Sequence, residues 1–507
     1  MILVLDFGSQ YNQLIARKVR QLNVFSQIVP YDYPVEKIRA MQPAGIILSG
    51  GPASIYADGA PRLAPEALDL GVPVLGICYG LQAMAQALGG RVAASPLREY
   101  GFARIRIAAR DGLLDEVEDG SQVWMSHGDK VEALPPEFVT LASTKNCPYT
   151  VVRHKARPLF GLQFHPEVHH TTYGNQILSN FVLHVCRAKT DWKMASFIES
   201  EKDKIRERVG RRRVLCAVSG GVDSTVLSKL LREAIGEQLR CVFIDNGVLR
   251  HREAEQVTEQ FRDHVGFEVE MIDSSRQFLE QLAGVLDPEE KRRRIGRTFI
   301  ETFMPLLGPD DFLAQGTLYP DCIETHSTAG PSAHIKTHHN RVAEVLELCR
   351  QERVIEPLAD LFKDEVRVLG EVLGIPRQVL WRQPFPGPGL AVRILGEVTA
   401  ERLELVRRAD VVTLEEIRNA GLYEQIWQSF AVLLPVQSVG VMGDERTYEY
   451  TAAIRAVHSV DGMTADWVRL PYDVLAKISN RIINEVRGIN RVVYDVSSKP
   501  PSTIEWE

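Results

Sequence analysis

Short apolar runs separated by amphipathic stretches organise the first part of the chain. Residues 2–5, 45–48, 72–77 and 159–164 are strand-sized and almost wholly apolar, whereas 13–22 and 81–88 place apolar residues at helical spacing. That alternation predicts an α/β unit with a parallel sheet. A charged helical stretch at 192–210 ends in three arginines, and the apolar run 214–218 then opens a second α/β segment. Its further strands are expected at 241–244, 267–272 and 312–314, with helical runs between them. The run Gln383-Pro384-Phe385-Pro386-Gly387-Pro388-Gly389 forbids helix and most sheet pairing, so it is a linker or a rigid recognition loop. The predicted architecture is therefore two successive α/β domains with mainly parallel sheets, 1–187 and 191–382, followed by a smaller α+β domain, 383–507.

Composition narrows the class without changing this picture. The 507 residues are 45% hydrophobic and 25% charged, the balance of a soluble globular protein. A net charge of -7 argues against general electrostatic attachment to nucleic acid or an anionic membrane, so any anion must be met locally. No apolar run approaches the ~18 residues that cross a bilayer. The strand-like start lacks a basic n-region, which predicts no signal peptide. Seven scattered cysteines without a C-x-x-C pair suggest neither a disulfide framework nor a cysteine zinc site, and a cytoplasmic protein is expected.

Candidate chemistry begins at Gly76-Ile77-Cys78-Tyr79-Gly80, which joins a predicted strand to a predicted helix. Flanking glycines permit a tight turn that presents the cysteine at a helix N-terminus, where a thiolate is favoured. Phe164-His165-Pro166-Glu167 closes a later strand, and on an extended chain residues i and i+2 share a side, so Glu167 can orient the His165 imidazole. Taken alone, Cys78 could be a buried structural cysteine and His165 a core histidine; together they fit a nucleophile, base and acid. Ser49-Gly50-Gly51-Pro52 can offer the Gly51 N–H to an oxyanion, with a second from Tyr79. A strand, the turn Ser219-Gly220-Gly221-Val222-Asp223-Ser224 and a helix from Thr225 make a nest of backbone N–H groups aimed at an anion. This turn lacks the G-x-x-x-x-G-K-[ST] spacing of the ordinary P-loop. Segments 335–340 and 361–367 add Lys336 and Lys363 as cations for phosphate. Cys322, His326, His334 and His338 are possible metal ligands, but their spacing matches no closed tetrahedral zinc pattern.

These motifs carry a resemblance. G-G-P, G-I-C-Y-G-L-Q, S-H-G-D at 126–129 and F-H-P-E, in this order, resemble the class I (triad) glutamine amidotransferases over residues 1–187. The resemblance implies glutamine hydrolysis through a thioester on Cys78, with Gln82, Ser126 and His127 beside the substrate. S-G-G-V-D-S resembles the loop of the ATP pyrophosphatases, an adenine-nucleotide α-hydrolase-like fold. That implies ATP held by Ser219, Gly220, Gly221, Val222, Asp223, Ser224, Lys336 and Lys363, with Mg²⁺ on Asp223. With residues 383–392, 438–446 and the tail 497–507, the whole chain resembles the glutamine-hydrolysing GMP synthetases. That family implies a homodimer through the C-terminal domain and xanthosine monophosphate (XMP) near Arg393, Lys499, Ile504 and Glu505. The nearest alternative is another glutamine-dependent ATP pyrophosphatase such as an NAD synthetase, and a different class would be a catalytically silent sensor. In one respect the chain departs from that family: after His338-His339-Asn340 it lacks the usual V-G-G-L-P. Val342, Val345, Leu346 and Cys349 repeat at helical spacing behind Asn340, so 341–349 is predicted helical and any hinge for a mobile 319–338 should fall at 328–332.

Overall fold

The strand Ile2–Asp6 lies between Ser26–Pro30 and Gly45–Leu48, and the parallel order continues through Val74–Ile77 to Leu159–Leu162. Ile2, Leu3, Val4 and Leu5 are at most 1% exposed, because both faces of these strands are covered, which is why they read as unbroken apolar runs rather than alternating ones. Antiparallel strands Val151–His154, Phe138–Ser143 and Arg106–Ile107 complete this sheet, and a separate ribbon pairs Arg91–Arg104 with Gln122–Ala133. The helix Tyr79–Ala87 packs so closely that a side chain on Gly161 would collide with Leu81 Cδ1. The computed structural model describes residues 1–326, 343–442, 445–459, 462 and 464–507. It divides the chain into two compact units, Met1–Phe197 and Ile198–Glu507. The charged connector is the helix Met194–Val209.

In the second unit a parallel sheet runs Glu270–Asp273, Leu239–Asp245, Val214–Ala217, Phe312–Ala314, Val354–Ile355. The strand Val214–Ala217 sits centrally and feeds the glycine-rich turn, followed by the helix Val222–Ile235. Ligands of such sheets bind at these carboxyl ends. A second sheet pairs the long strands Gln428–Met442 and Glu445–Ser459, with Ala465–Trp467 antiparallel and Ile489–Tyr494 parallel to the latter. The helices Ala400–Asn419 and Tyr472–Glu485 bury Val406, Ala409, Ile478 and Ile482 in the cluster that also holds the sheet residues Leu433 and Ile454. One apolar cluster runs from Leu215 and Val242 through Leu390 and Ile394 to Ile454 and Ile489, so residues on both sides of position 382 share a core.

The proline-rich stretch is stitched into this unit. A side chain on Gly389 (φ +61) would collide with the Val248 carbonyl oxygen, and the Leu390 N–H donates to that oxygen at 2.7 Å. The helix expected at 341–349 is Ala343–Arg350. Lys336, His334, His338 and the expected hinge at 328–332 lie outside the described residues. Among the described residues, no helix is long and apolar enough to cross a membrane.

Candidate active sites

The first site forms where Val74–Ile77 turns into Tyr79–Ala87. Cys78, at that corner, has φ +49 and ψ -105, a conformation that an L-residue holds only when its surroundings over-determine it. The flanking glycines supply the room. A side chain on Gly80 would strike the Leu48 carbonyl oxygen, and one on Gly76 would meet Gly80 and Leu81 backbone at 2.7 Å.

The His165 imidazole interacts electrostatically with Cys78, and its Nδ1 lies 2.7 Å from Glu167 Oε1. The strand ends at Leu162, so the pair forms in the bend beyond it rather than on an extended strand as the spacing predicted. The bend is fixed by hydrogen bonds from the His165 N–H to the Trp124 carbonyl (3.1 Å) and from Thr171 Oγ1 to the His165 carbonyl (2.6 Å). Burial by itself would depress the His165 pKa. The Glu167 carboxylate, helped by Cys78, overcomes that and holds the imidazole well above its usual range. Tyr11 meets the imidazole edge-on at 5.3 Å.

The Gly50–Gly51 turn closes against these groups. A side chain on Gly50 would lie 3.0 Å from His165 Cε1 and 3.8 Å from Cys78 Cβ, and one on Gly51 would strike the Phe7 carbonyl oxygen at 2.5 Å. The Ser126 carbonyl and Gln163 Nε2 stand 3.7 and 3.8 Å from Cys78 Sγ. Gln82 Nε2 donates to the Asp129 carbonyl at 2.8 Å and so braces the S-H-G-D segment. His127 is buried 3.2 Å from Glu99 Oε2 but without aligned hydrogen-bond geometry. Burial lowers its pKa although Glu99 pulls the other way.

The second site is the turn after Val214–Ala217. Ser219 and Ser224 hydroxyls stand 3.2 Å apart, Ser224 Oγ accepts from the Ser219 N–H at 3.2 Å, and Ser219 Oγ accepts from the Gly221 N–H at 3.3 Å. Gly220 is left-handed at φ +70. Asp223 lies in the first turn of Val222–Ile235, where Lys363 pairs with its Oδ2, so the structure brings together two residues that the sequence placed on phosphate. The other oxygen, Oδ1, is buried without a hydrogen-bond partner. Among the described residues no three His, Cys, Asp or Glu side chains gather to hold a metal. One carboxylate with a free oxygen nevertheless fits Mg²⁺, which is commonly held by one or two carboxylates, water and substrate phosphates. Arg367 faces Asp223 and stacks on Trp381 at 4.8 Å, its pKa lowered by burial.

Of the residues matched to a nucleotide by the tail, Arg393 is fully buried and grips Glu505 with both nitrogens, at 2.9 and 3.0 Å. Ile504 sits in the apolar cluster with Phe430 and Val457, and Lys499 Nζ donates to the Gly462 carbonyl at 2.8 Å. The fully buried Arg455 donates to the Ser497 and Thr503 carbonyls, holding the tail down. Sequence reasoning missed Gln163, Glu99, Arg367, Arg382 and Arg455. Each acts through a partner distant in the chain, and no local pattern marks it.

A class-I glutamine amidotransferase family profile matches residues 3–185, and one for the GMP synthase C terminal domain matches 415–506. The "GMP synthase [glutamine-hydrolyzing]" of Aquifex aeolicus (strain VF5) is 54% identical over 511 residues, spanning 100% of this chain and 99% of its own. The chain belongs to the glutamine-hydrolysing GMP synthase family. The relative of that name from Chlorobium chlorochromatii (strain CaD3) is 55% identical, with the same 100% and 99% coverage. A solved crystal structure described as a GMP synthase subunit from Thermoplasma acidophilum is 31% identical, with a TM-score of 0.33, over 40% of this chain and 96% of its own. Membership places residues 3–185 among the class-I glutamine amidotransferases.

Proposed function

We propose that this protein converts XMP, ATP, glutamine and water into GMP, AMP, pyrophosphate and glutamate. The observation that carries the reading is the presence on one chain of the strained Cys78 with its His165–Glu167 pair and of the Ser219–Ser224 turn with Asp223 and Lys363. At the first site the Cys78 sulfur attacks the glutamine side-chain carbonyl, while N–H groups of Gly51 and Tyr79 face the oxyanion. His165 takes the thiol proton and returns it to the leaving ammonia, and Glu167 steadies the imidazolium. Water then releases glutamate from the thioester. Gln82, Ser126 and His127 border the glutamine.

At the second site the xanthine O2 attacks the α-phosphorus of ATP, and the Ser219–Ser224 turn, Lys363 and Lys336 receive the departing pyrophosphate. Mg²⁺ on Asp223 would neutralise charge on that leaving group. Ammonia then adds at C2 and AMP departs, which makes chemical sense: a ring oxo group leaves poorly and an adenylate leaves well. Free ammonium cannot do this, so the glutaminase requires such an acceptor. We assign three functional domains, 1–187, 191–382 and 383–507. The last binds XMP through Lys499, Ile504 and Glu505, with the buried Arg393 acting only by holding the Glu505 carboxylate, and pairs two copies as a homodimer in the cytoplasm. AMP release with XMP, compared with deamido-NAD, tests the reading: release with deamido-NAD alone makes the protein an NAD synthetase, and release with neither makes it a sensor.

A further inference from the structure

We infer that Arg382 is a positioning residue for the glycine-rich turn, and that a chain of alternating charges, buried at its centre, couples it to the C-terminal tail. This rests on the reading that the turn holds the ATP phosphates. Arg382 Nη1 donates to the Gly220 carbonyl at 3.2 Å, at the left-handed residue of the turn. Its Nη2 pairs with Glu253, whose side chain is 2% exposed. The second Glu253 oxygen accepts the Arg250 backbone N–H at 3.0 Å, and the carboxylate also acts through space on the Arg250 guanidinium. Arg250 Nε approaches Asp410 Oδ2 at 3.4 Å, and the other Asp410 oxygen accepts from the Ala431 N–H at 3.1 Å and faces Arg393 Nη1 at 3.9 Å. Arg393 then grips Glu505. The Phe385 ring lies under both guanidinium groups, 4.5 Å from Arg250 and 5.2 Å from Arg393, which gives the proline-rich stretch its place in the chain.

Three positive and three negative groups alternate, so the chain is neutral and losing any one group leaves its neighbour unbalanced. Arg250 Nε, Arg250 Nη2 and Arg393 Nη1 are nevertheless buried without aligned hydrogen bonds. A network built for stability alone would satisfy them, since a half-satisfied buried network is worse than apolar packing. The geometry suits a role in which the tail's position is felt at the turn. A carboxylate displaced at Glu505 leaves Arg393 uncompensated, and the imbalance is passed by Asp410, Arg250 and Glu253 to the arginine that fixes Gly220.

The test uses the whole enzyme. Arg382→Lys keeps the charge but replaces the planar fork that spans Gly220 and Glu253 at once. KM for ATP should rise about tenfold, the effect of losing one charge-assisted hydrogen bond, while KM for XMP and the basal glutaminase rate stay at wild type. Glu253→Gln, nearly isosteric, should raise KM for ATP in the same direction. Combining Arg382→Lys with Arg393→Lys should raise KM for ATP by at least about fivefold less than the product of the single effects, because the two changes act along one chain. Unchanged KM for ATP in Arg382→Lys and Glu253→Gln overturns the positioning role. An equal rise in KM for ATP and XMP reduces it to general structure, and strictly multiplicative effects remove the coupling. A wild-type enzyme that releases no AMP from ATP with XMP defeats the functional reading itself, a result separate from all of these.

Discussion

Replacing Glu167 by Gln removes one charge from a buried pair and little else. In the wild type the carboxylate accepts from His165 Nδ1 at 2.7 Å, with the two side chains 0% and 5% exposed. A hydrogen bond to a charged group is worth about 1.5–3 kcal/mol, which at about 1.4 kcal/mol per decade predicts a roughly 10- to 100-fold fall in glutaminase kcat. An amide that turned its NH₂ toward Nδ1 would impose the wrong tautomer and cost nearer 10⁴-fold. The structure argues against that outcome: Glu167 Oε2 has no hydrogen-bond partner, so nothing holds the amide nitrogen on the outer side or the inner, and the oxygen can stay on Nδ1–H. Glutamate release measures the loss, and ammonia-dependent GMP formation in the same preparation serves as the folding control. The variant also carries a pH signature. His165 is raised in the folded protein, so its contribution to stability is fully present below the unfolded value near 6.5 and is lost as pH rises through the folded pKa. Without Glu167 the largest raising influence is gone and only Cys78 opposes burial, which shrinks the contribution below 6.5. The stability gap between wild type and Glu167→Gln, read by thermal melting, should therefore be widest below 6.5 and narrow as pH rises. A wild-type glutaminase rate, or a gap that stays flat across this range, refutes the reasoning.

Cys78→Ala should reduce glutamine-dependent GMP formation by roughly 10⁴-fold or more, while activity with ammonium salts survives and grows with pH as NH₃ accumulates. Asp223→Asn should suppress AMP and pyrophosphate release with XMP while basal glutaminase persists; unchanged ATP cleavage would remove the phosphate assignment of the turn. Gly51→Ala places a methyl group 2.5 Å from the Phe7 carbonyl oxygen, so the turn must shift and glutaminase kcat should fall about 10²-fold or more, with KM for ATP unmoved. Hydrogen exchange should find protected amides in Ala343–Arg350; rapid exchange there would contradict the helix.

What could be read from the sequence was chemistry confined to consecutive residues. The G-x-C-x-G corner, the His165–Glu167 pair and the Ser219–Ser224 turn each need a fixed local backbone, so their residue types announce them. The parallel strands were equally legible, since full burial makes them unbroken apolar runs. The ribbon Arg91–Arg104 was not: it contains Pro96 and Gly101, and its pairing with Gln122–Ala133 shifts register between Ala94 and Glu99, which destroys clean alternation. Arg382 and Gly220 lie 162 residues apart, and Arg393 and Glu505 lie 112 apart. Such partners are chosen by tertiary packing, and the same arginines would have looked solvated in any local reading. The proline-rich stretch left two readings open because prolines exclude regular structure without saying what they pack against; Phe385, within reach of two guanidinium groups, supplies the answer.

The apolar cluster that crosses position 382 governs how this half of the protein melts and how it can be dissected. Leu390, Ala391 and Ile394 are wholly buried in the cluster that also holds residues of the parallel sheet, so a chain ending at 382 would lose part of that core and uncover Val248, which the Gly389–Leu390 backbone packs against. Residues 198–507 should accordingly behave as a single cooperative block, losing both sheets in one transition when heated. The glycine-rich turn and the C-terminal tail are then parts of one folding event, and an isolated piece carrying only the turn would be sticky and loosely packed.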